Sequence, residues 1–232
     1  MLEELKQRVC LANLKLVEQG LVIQTWGNVS GIDRASGSVV IKPSGVSYEK
    51  MSAEQMPVVS LASGEVVEGD LKPSSDTPTH LELYRAFEDI AGVVHTHSVN
   101  ATAWAQARKE IPPLGTTHAD YFYGPVPCTR LMKADEITED YETNTGRVIV
   151  ERFSEDALDP VQLPGVLVAG HGPFAWGDAP ESAVFNAVVL EHLALMAGKT
   201  LMVDPTAGAI PKSLLDKHFL RKHGPDAYYG QR

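Results

Sequence analysis

The sequence predicts a single α/β domain, residues 1–232, in which hairpin strands are flanked by helices. Three observations predict it. Short valine- and isoleucine-rich runs are separated by Ser-Gly and Pro-Ser-Gly turns, the pattern of antiparallel hairpins rather than of strand-helix-strand crossovers. Segments of helical period stand near both ends of the chain. No repeat, low-complexity run or polar linker divides it.

At 232 residues the chain is long enough to bury a substantial core. Its 44% hydrophobic and 22% charged residues make an ordinary globular balance. A net charge of −10 leaves no basic stripe to release counterions, so no nucleic-acid partner is expected. Cys10 and Cys128 lack CxxC or Cys/His spacing, which indicates neither a disulfide framework nor a thiolate zinc site. The start, MLEELKQRVCLANLKLVEQG, is charged and amphipathic, unlike a secretory signal, and no stretch reads as the ~20 apolar residues of a membrane span. The expectation is a cytoplasmic protein with no membrane partner.

Taken in order, Leu2 to Gln19 forms an amphipathic helix with Leu5, Val9, Leu14, Leu16 and Val17 on its stripe and Gly20 as its C-terminal cap. LVIQTWGNVSGID reads as a strand interrupted at Trp26-Gly27-Asn28, and SVVIKPSG as its partner after the Ser36-Gly37 turn. Met56 to Leu61 and Glu65 to Glu68 make a second hairpin around Ser63-Gly64. A helix follows over Thr79 to Phe87, with Asp76 or Thr77 as N-cap and Pro78 in its first turn. Asn100 to Arg108 is helical, and Leu131 to Thr143 reads as a polar surface segment. The helix over Glu181 to Ala197 buries Val184, Ala187, Val188, Leu190, Leu195 and Met196. His192 sits at its edge or surface. A Gly/Pro/Thr-rich connection, Asp204 to Pro211, leads to a last helix.

Two segments carry metal-binding chemistry. In AGVVHTHSVNAT, Ala91 to Thr102, His95 and His97 are spaced i, i+2. On an extended strand they point to one face with Cα atoms roughly 6–7 Å apart, so both imidazoles can meet one ion at about 2.1 Å. In PGVLVAGHGPFAWG, an apolar strand over Val166 to Ala169 leads to His171 between two glycines, which turn the backbone with no side chain in the way. Three neutral imidazoles and an open position are the donors of a catalytic zinc, whereas closed structural sites usually take thiolates. On its own, HxH also reads as two packed or hydrogen-bonded strand histidines.

Three polar corners carry further chemistry. Lys42-Pro43-Ser44-Gly45 offers an ammonium, a hydroxyl and a glycine amide to an oxyanion or phosphate, or is a plain turn. In Lys72 to Pro78, Ser74 and Ser75 stand at a helix N-terminus whose amides favour anions, while capping alone accounts for Asp76. In LGTTHADYF, Asp120 reads either as a general acid or base or as a turn carboxylate.

TWGNVS at 25–30, IKPSGV at 41–46, KPSSDTPTH at 72–80, VHTHS at 94–98, GTTHADYF at 115–122, GHGPFAWG at 170–177, then LDKHFLRKHG and AYYGQ run from end to end in one order. With these blocks the chain resembles the L-ribulose-5-phosphate 4-epimerases of the class II aldolase/adducin family. The resemblance implies a three-layer α/β/α fold with a central, mainly antiparallel sheet, assembled as a cyclic homotetramer with sites at subunit interfaces. It implies a divalent metal, zinc, on His95, His97 and His171, with Asp76 standing where related sugar-phosphate aldolases carry a longer glutamate. It assigns Gly27, Asn28, Ser44, Gly45, Ser74 and Ser75 to the substrate and phosphate pocket, with Lys42 as its cation. Asp120 and Tyr229 match the acid/base pair, Tyr229 lying on a tail that closes over a neighbouring subunit's site. The implied reaction interconverts L-ribulose 5-phosphate and D-xylulose 5-phosphate by metal-assisted retro-aldol cleavage and re-formation of the C3–C4 bond, in arabinose or ascorbate breakdown.

Overall fold

The computed structural model describes residues 2–228; Tyr229 lies outside them. Helix α1 (Leu2–Glu18) buries Leu5, Val9, Ala12 and Leu16 at helical spacing, and Gly20 follows at φ +67°. Val17, assigned to the same stripe from the sequence, is exposed, and Leu14 is only half-buried. Residues 21–27 are irregular rather than strand. The Tyr48 hydroxyl lies 2.8 Å from the Trp26 carbonyl oxygen and 2.9 Å from that of Gly27, tying this segment down away from any ladder.

The strands are β1 (Asn28–Asp33), β2 (Ser38–Ile41), β3 (Val58–Ser60) and β4 (Val66–Glu68). Helix α2 (Thr77–Ala86) leads to β5 (Gly92–His95) and α3 (Val99–Ala107), followed by a short α4 (Thr116–Ala119). After α5 (Ala134–Glu139) and α6 (Tyr141–Glu155) come β6 (Gly165–Leu167), β7 (Pro173–Gly177), α7 (Pro180–Val203) and α8 (Lys212–His223). Among the described residues the strands form one sheet in the order β4-β3-β2-β1-β5-β7-β6, every neighbouring pair antiparallel. This is the expected α/β fold with a central antiparallel sheet and helices around it.

Both faces of the sheet are covered, which explains why its strands read as continuous apolar runs rather than alternating ones. Val39, Ile41, Val59, Val93, Phe174 and Trp176 face one core with α2, α3 and α6, while Val29, Val40, Val58, Val94 and Ala175 face a second with α1. The period-2 alternation of each strand divides the side chains between the two. Helix α7 serves both, with Ala183, Val184 and Ala187 in the α1 core and Leu190, Leu193, Ala194 and Ala197 in the other. The buried stripe thus runs through Leu193 and Ala194 rather than the expected Leu195 and Met196, which are half-buried. By length and composition α7 is apolar enough to cross a membrane, a correction to the sequence reading, but it packs on β5 and β7. His192 is exposed.

The segment 131–143, expected as polar surface, holds α5 and the start of α6. Arg130 pairs with both Glu136 and Glu151 at 2.6–2.7 Å, joining the two helices. Helix α6 then packs against α2.

Candidate metal centre and anion cradle

The sheet register assembles the histidines. Strand β5 ends at His95, which pairs with Phe174 of β7 and Asn28 of β1. His97 lies just beyond the strand end rather than within it, yet its Nε2 is 3.1 Å from His95 Nε2. His171 occupies the tip of the β6–β7 hairpin, where its amide donates to the Val168 carbonyl at 3.0 Å and Val168 donates to that of Gly172 at 2.9 Å. A Cβ at Gly172 would stand 2.9 Å from the Thr96 carbonyl oxygen, so glycine is what lets the tip lie against the His95–His97 segment. The three rings form a triangle with centroids 4.7–5.1 Å apart, and their ligand nitrogens lie within 4.8 Å of one another.

Because a carbonyl only accepts, His95 Nδ1 donates to Pro173 at 3.0 Å, which leaves the Nε2 lone pair facing the other histidines. Phe174 stacks on the His95 ring, centroids 4.2 Å apart at 16°. Burial pushes the pKa of His95 down, and burial followed by the other two imidazoles pushes that of His171 down to about 4. These rings are therefore neutral near pH 7, the form a metal takes, and three convergent imidazole nitrogens fit a divalent transition ion.

Asp76 precedes α2 but makes no side-chain cap; its Oδ2 instead accepts from Asn28 Nδ2 at 2.6 Å. Burial pushes its pKa up, but His95, His80 and the Asn28 hydrogen bond outweigh this, and the carboxyl is held below its usual range. Asn28 Nδ2 also reaches Ser74 Oγ at 3.0 Å. The two Lys-Pro-Ser corners are stitched together by backbone hydrogen bonds, Ser44 N to the Lys72 carbonyl at 2.8 Å and Ser74 N to the Lys42 carbonyl at 3.0 Å. Segments far apart in sequence thereby become one cradle. Buried Lys42 sits 4.9 Å from the Tyr48 ring centroid and donates to the Thr25 carbonyl at 3.3 Å. Burial lowers its pKa against the opposing pull of Asp76.

All of Gly27, Asn28, Lys42, Ser44, Gly45, Ser74, Ser75, Asp76, His95, His97 and His171 line one cavity of about 520 Å³, together with Thr25 and Trp26. Trp26 stands at its mouth, half-exposed, with its ring 6.4 Å from that of His97. Tyr141, which no sequence motif singles out, brings its hydroxyl 3.4 Å from His171 Nδ1. It begins α6, and only the tertiary packing of that helix carries it there.

Asp120 does not line this cavity. It follows α4, and its carboxylate is held by α8 through His218 Nδ1 at 3.1 Å, Arg221 Nη2 at 2.9 Å and Lys222 Nζ at 3.5 Å. Burial pushes its pKa up, but the hydrogen bonds from Arg221 and His218 and the charges of Lys222 and Arg221 outweigh it and hold the carboxyl below its usual range.

The sequence matches the class II aldolase and adducin N-terminal domain over residues 7–197. The structure is similar to an L-fuculose 1-phosphate aldolase, with 25% identity, a TM-score of 0.77 and coverage of 93% of this chain and 94% of that one. It is similar to the L-fuculose-1-phosphate aldolase from Thermus thermophilus, with 26% identity, a TM-score of 0.64 and coverage of 89% and 98%. A putative aldolase/epimerase/decarboxylase from Klebsiella pneumoniae shares the fold at 22% identity, a TM-score of 0.73 and coverage of 94% and 98%. The histidine triangle thus lies within a fold common to sugar-phosphate aldolases, and with most of its length matched the chain belongs to the class II aldolase and adducin family.

Proposed function

We propose that the chain interconverts L-ribulose 5-phosphate and D-xylulose 5-phosphate by breaking and re-forming the C3–C4 bond, as a 4-epimerase with zinc as its metal. The observation that carries the reading is the convergence of three imidazoles with a serine- and glycine-lined cradle and one lysine in a single cavity. The C4 hydrogen is not α to the C2 carbonyl and is hardly acidic, so inversion by direct deprotonation is unfavourable. Cleavage avoids that step.

His95, His97 and His171 hold the cation, with Asp76 beside them. The cation supplies Lewis acidity toward negative charge developing on the C2 and C3 oxygens. Ser44, Ser74 and Ser75, with the Lys42 ammonium behind them, hold the phosphate and keep the two-carbon fragment from leaving. A base takes the proton from the C4 hydroxyl, and the O–H electrons become the aldehyde carbonyl. The C3–C4 pair remains on the three-carbon fragment as an enediolate. After the aldehyde rotates, C3 attacks its other face and an acid protonates the new alkoxide. Asp120 and Tyr229 fill the acid and base roles from a neighbouring subunit of a homotetramer. The position of Asp120 outside its own chain's cavity supports this sharing.

A second reading, an aldolase releasing its fragments, is favoured by the likeness to L-fuculose 1-phosphate aldolase. Carbon NMR of the protein with L-ribulose 5-phosphate, with and without chelator, separates the two. Chelator-sensitive appearance of D-xylulose 5-phosphate is the expected result. Free glycolaldehyde phosphate and dihydroxyacetone as the main products would establish the aldolase, and an unchanged spectrum from metal-loaded protein would overturn both readings for this substrate.

A further inference from the structure

A polar seam runs behind the cavity between β1 and α2. Asn28 and Ser30, two apart on a strand, project from the same face roughly 6.6–6.8 Å apart. Asp76, His80 and Tyr84 follow one another along α2 at about 6 Å per four residues. The two spacings match, and polar rungs result. Asn28 donates to Asp76 at 2.6 Å, while Ser30 Oγ lies 2.7 Å from His80 Nδ1 and 2.8 Å from the Tyr84 hydroxyl. His80 is wholly buried, with its ring centroid 6.1 Å from that of Phe174, the ring that stacks on His95. Two buried side-chain atoms along this seam, His80 Nε2 and Asn28 Oδ1, have no protein partner. Leaving a buried donor and a buried acceptor both unmet is costly, and a shared water removes both costs.

Burial disfavours the charged ring, so His80 carries one hydrogen. If Tyr84 donates to Ser30 and Ser30 to Nδ1, that hydrogen is on Nε2, the nitrogen left without a partner. We propose that His80 is a positioning residue for Asp76: its Nε2–H donates to a buried water that in turn donates to Asn28 Oδ1, fixing the amide that aims the Asp76 carboxylate at the three histidines. The inference rests on the metal reading of the histidine triangle and extends it to a residue that lines no part of the cavity.

The test has two parts. Long-range proton–nitrogen NMR of the metal-free protein reads the His80 tautomer directly, and the Nε2–H form is expected. Chelator competition and visible spectra of the cobalt-loaded protein then compare His80→Gln, which keeps an N–H near the Nε2 position, with His80→Asn, which does not. His80→Asn should weaken cobalt binding about tenfold and shift the visible bands, while His80→Gln stays within about threefold with wild-type bands. An Nδ1–H tautomer, or His80→Asn with wild-type affinity and spectrum, overturns the proposal. Should His80→Asn fail to fold, loss of affinity in a folded His80→Gln protein overturns it equally. Absence of cobalt binding by the wild-type protein would overturn the metal reading itself and the inference with it.

Discussion

At Gly27 an added methyl group would stand 2.6 Å from Val22 Cγ1 and 2.9 Å from the His95 carbonyl oxygen, on a backbone at φ +76°. Gly27→Ala should therefore cost about 1–2 kcal/mol from the left-handed backbone alone. The steric contact adds to that and displaces the Trp26–Asn28 wall of the cavity. Thermal denaturation together with KM measurement checks both effects. His97→Asn removes one corner of the histidine triangle. Metal affinity should fall by about 100-fold or more, since even outer partners of metal ligands are worth roughly 10–100-fold. Turnover should fall with it, and a variant retaining full metal content and full activity would exclude His97 as a ligand. These residues were legible because their chemistry is written at short range: HTH, KPSG and KPSSD each place their groups within a few positions. Tyr141 and His80 were not. One reaches His171 only through the packing of α6, and the other is recognisable only when the β1 and α2 registers are laid side by side.

Among the ties of helix α8 to the rest of the chain is one carboxylate, Asp120, facing His218, Arg221 and Lys222. The folded protein holds the Asp120 carboxyl below its ordinary range, so its stabilisation is complete above the range where an unfolded aspartate titrates. It fades as pH falls through the depressed folded value. Asp120→Asn should cost about 1–3 kcal/mol near pH 7 by stranding those donors. The difference from wild type should shrink toward zero in acid, as denaturant melts at several pH values would read. At this scale the hairpins were legible from their turns, and α1 and α7 from their period. The β1 start was misread because Leu21–Ile23 is apolar enough for a strand, but the Leu21 amide bonds back to Leu16 and the Ile23 carbonyl takes the Trp26 amide in a turn. Helices α5 and α6 escaped because their first turns are polar, and the Arg130 pairs that join them span positions no local pattern connects.

For the whole molecule, the separation of Asp120 from the histidine cavity of its own chain makes subunit exchange informative. Mixing inactive, folded Asp120→Asn and His97→Asn proteins should restore part of the activity, because some interfaces then combine the intact cavity of one chain with the intact acid/base pair of the other. No recovery in mixtures shown to contain hybrids would count against a shared site. The proposed assembly is not legible in periodicity or charge, whereas the two-sided burial of the sheet is, in strands that lack polar alternation. The distribution of indoles over the molecule has a practical result. Trp176 is buried and Trp104 half-buried with its Nε1 donating to Ala194, while Trp26 faces solvent at the mouth of the cavity. Iodide should thus quench one class of emitter, and a phosphorylated ligand seated in the cavity should shield it. The native protein then carries its own optical gauge of occupancy, usable with no label and no turnover.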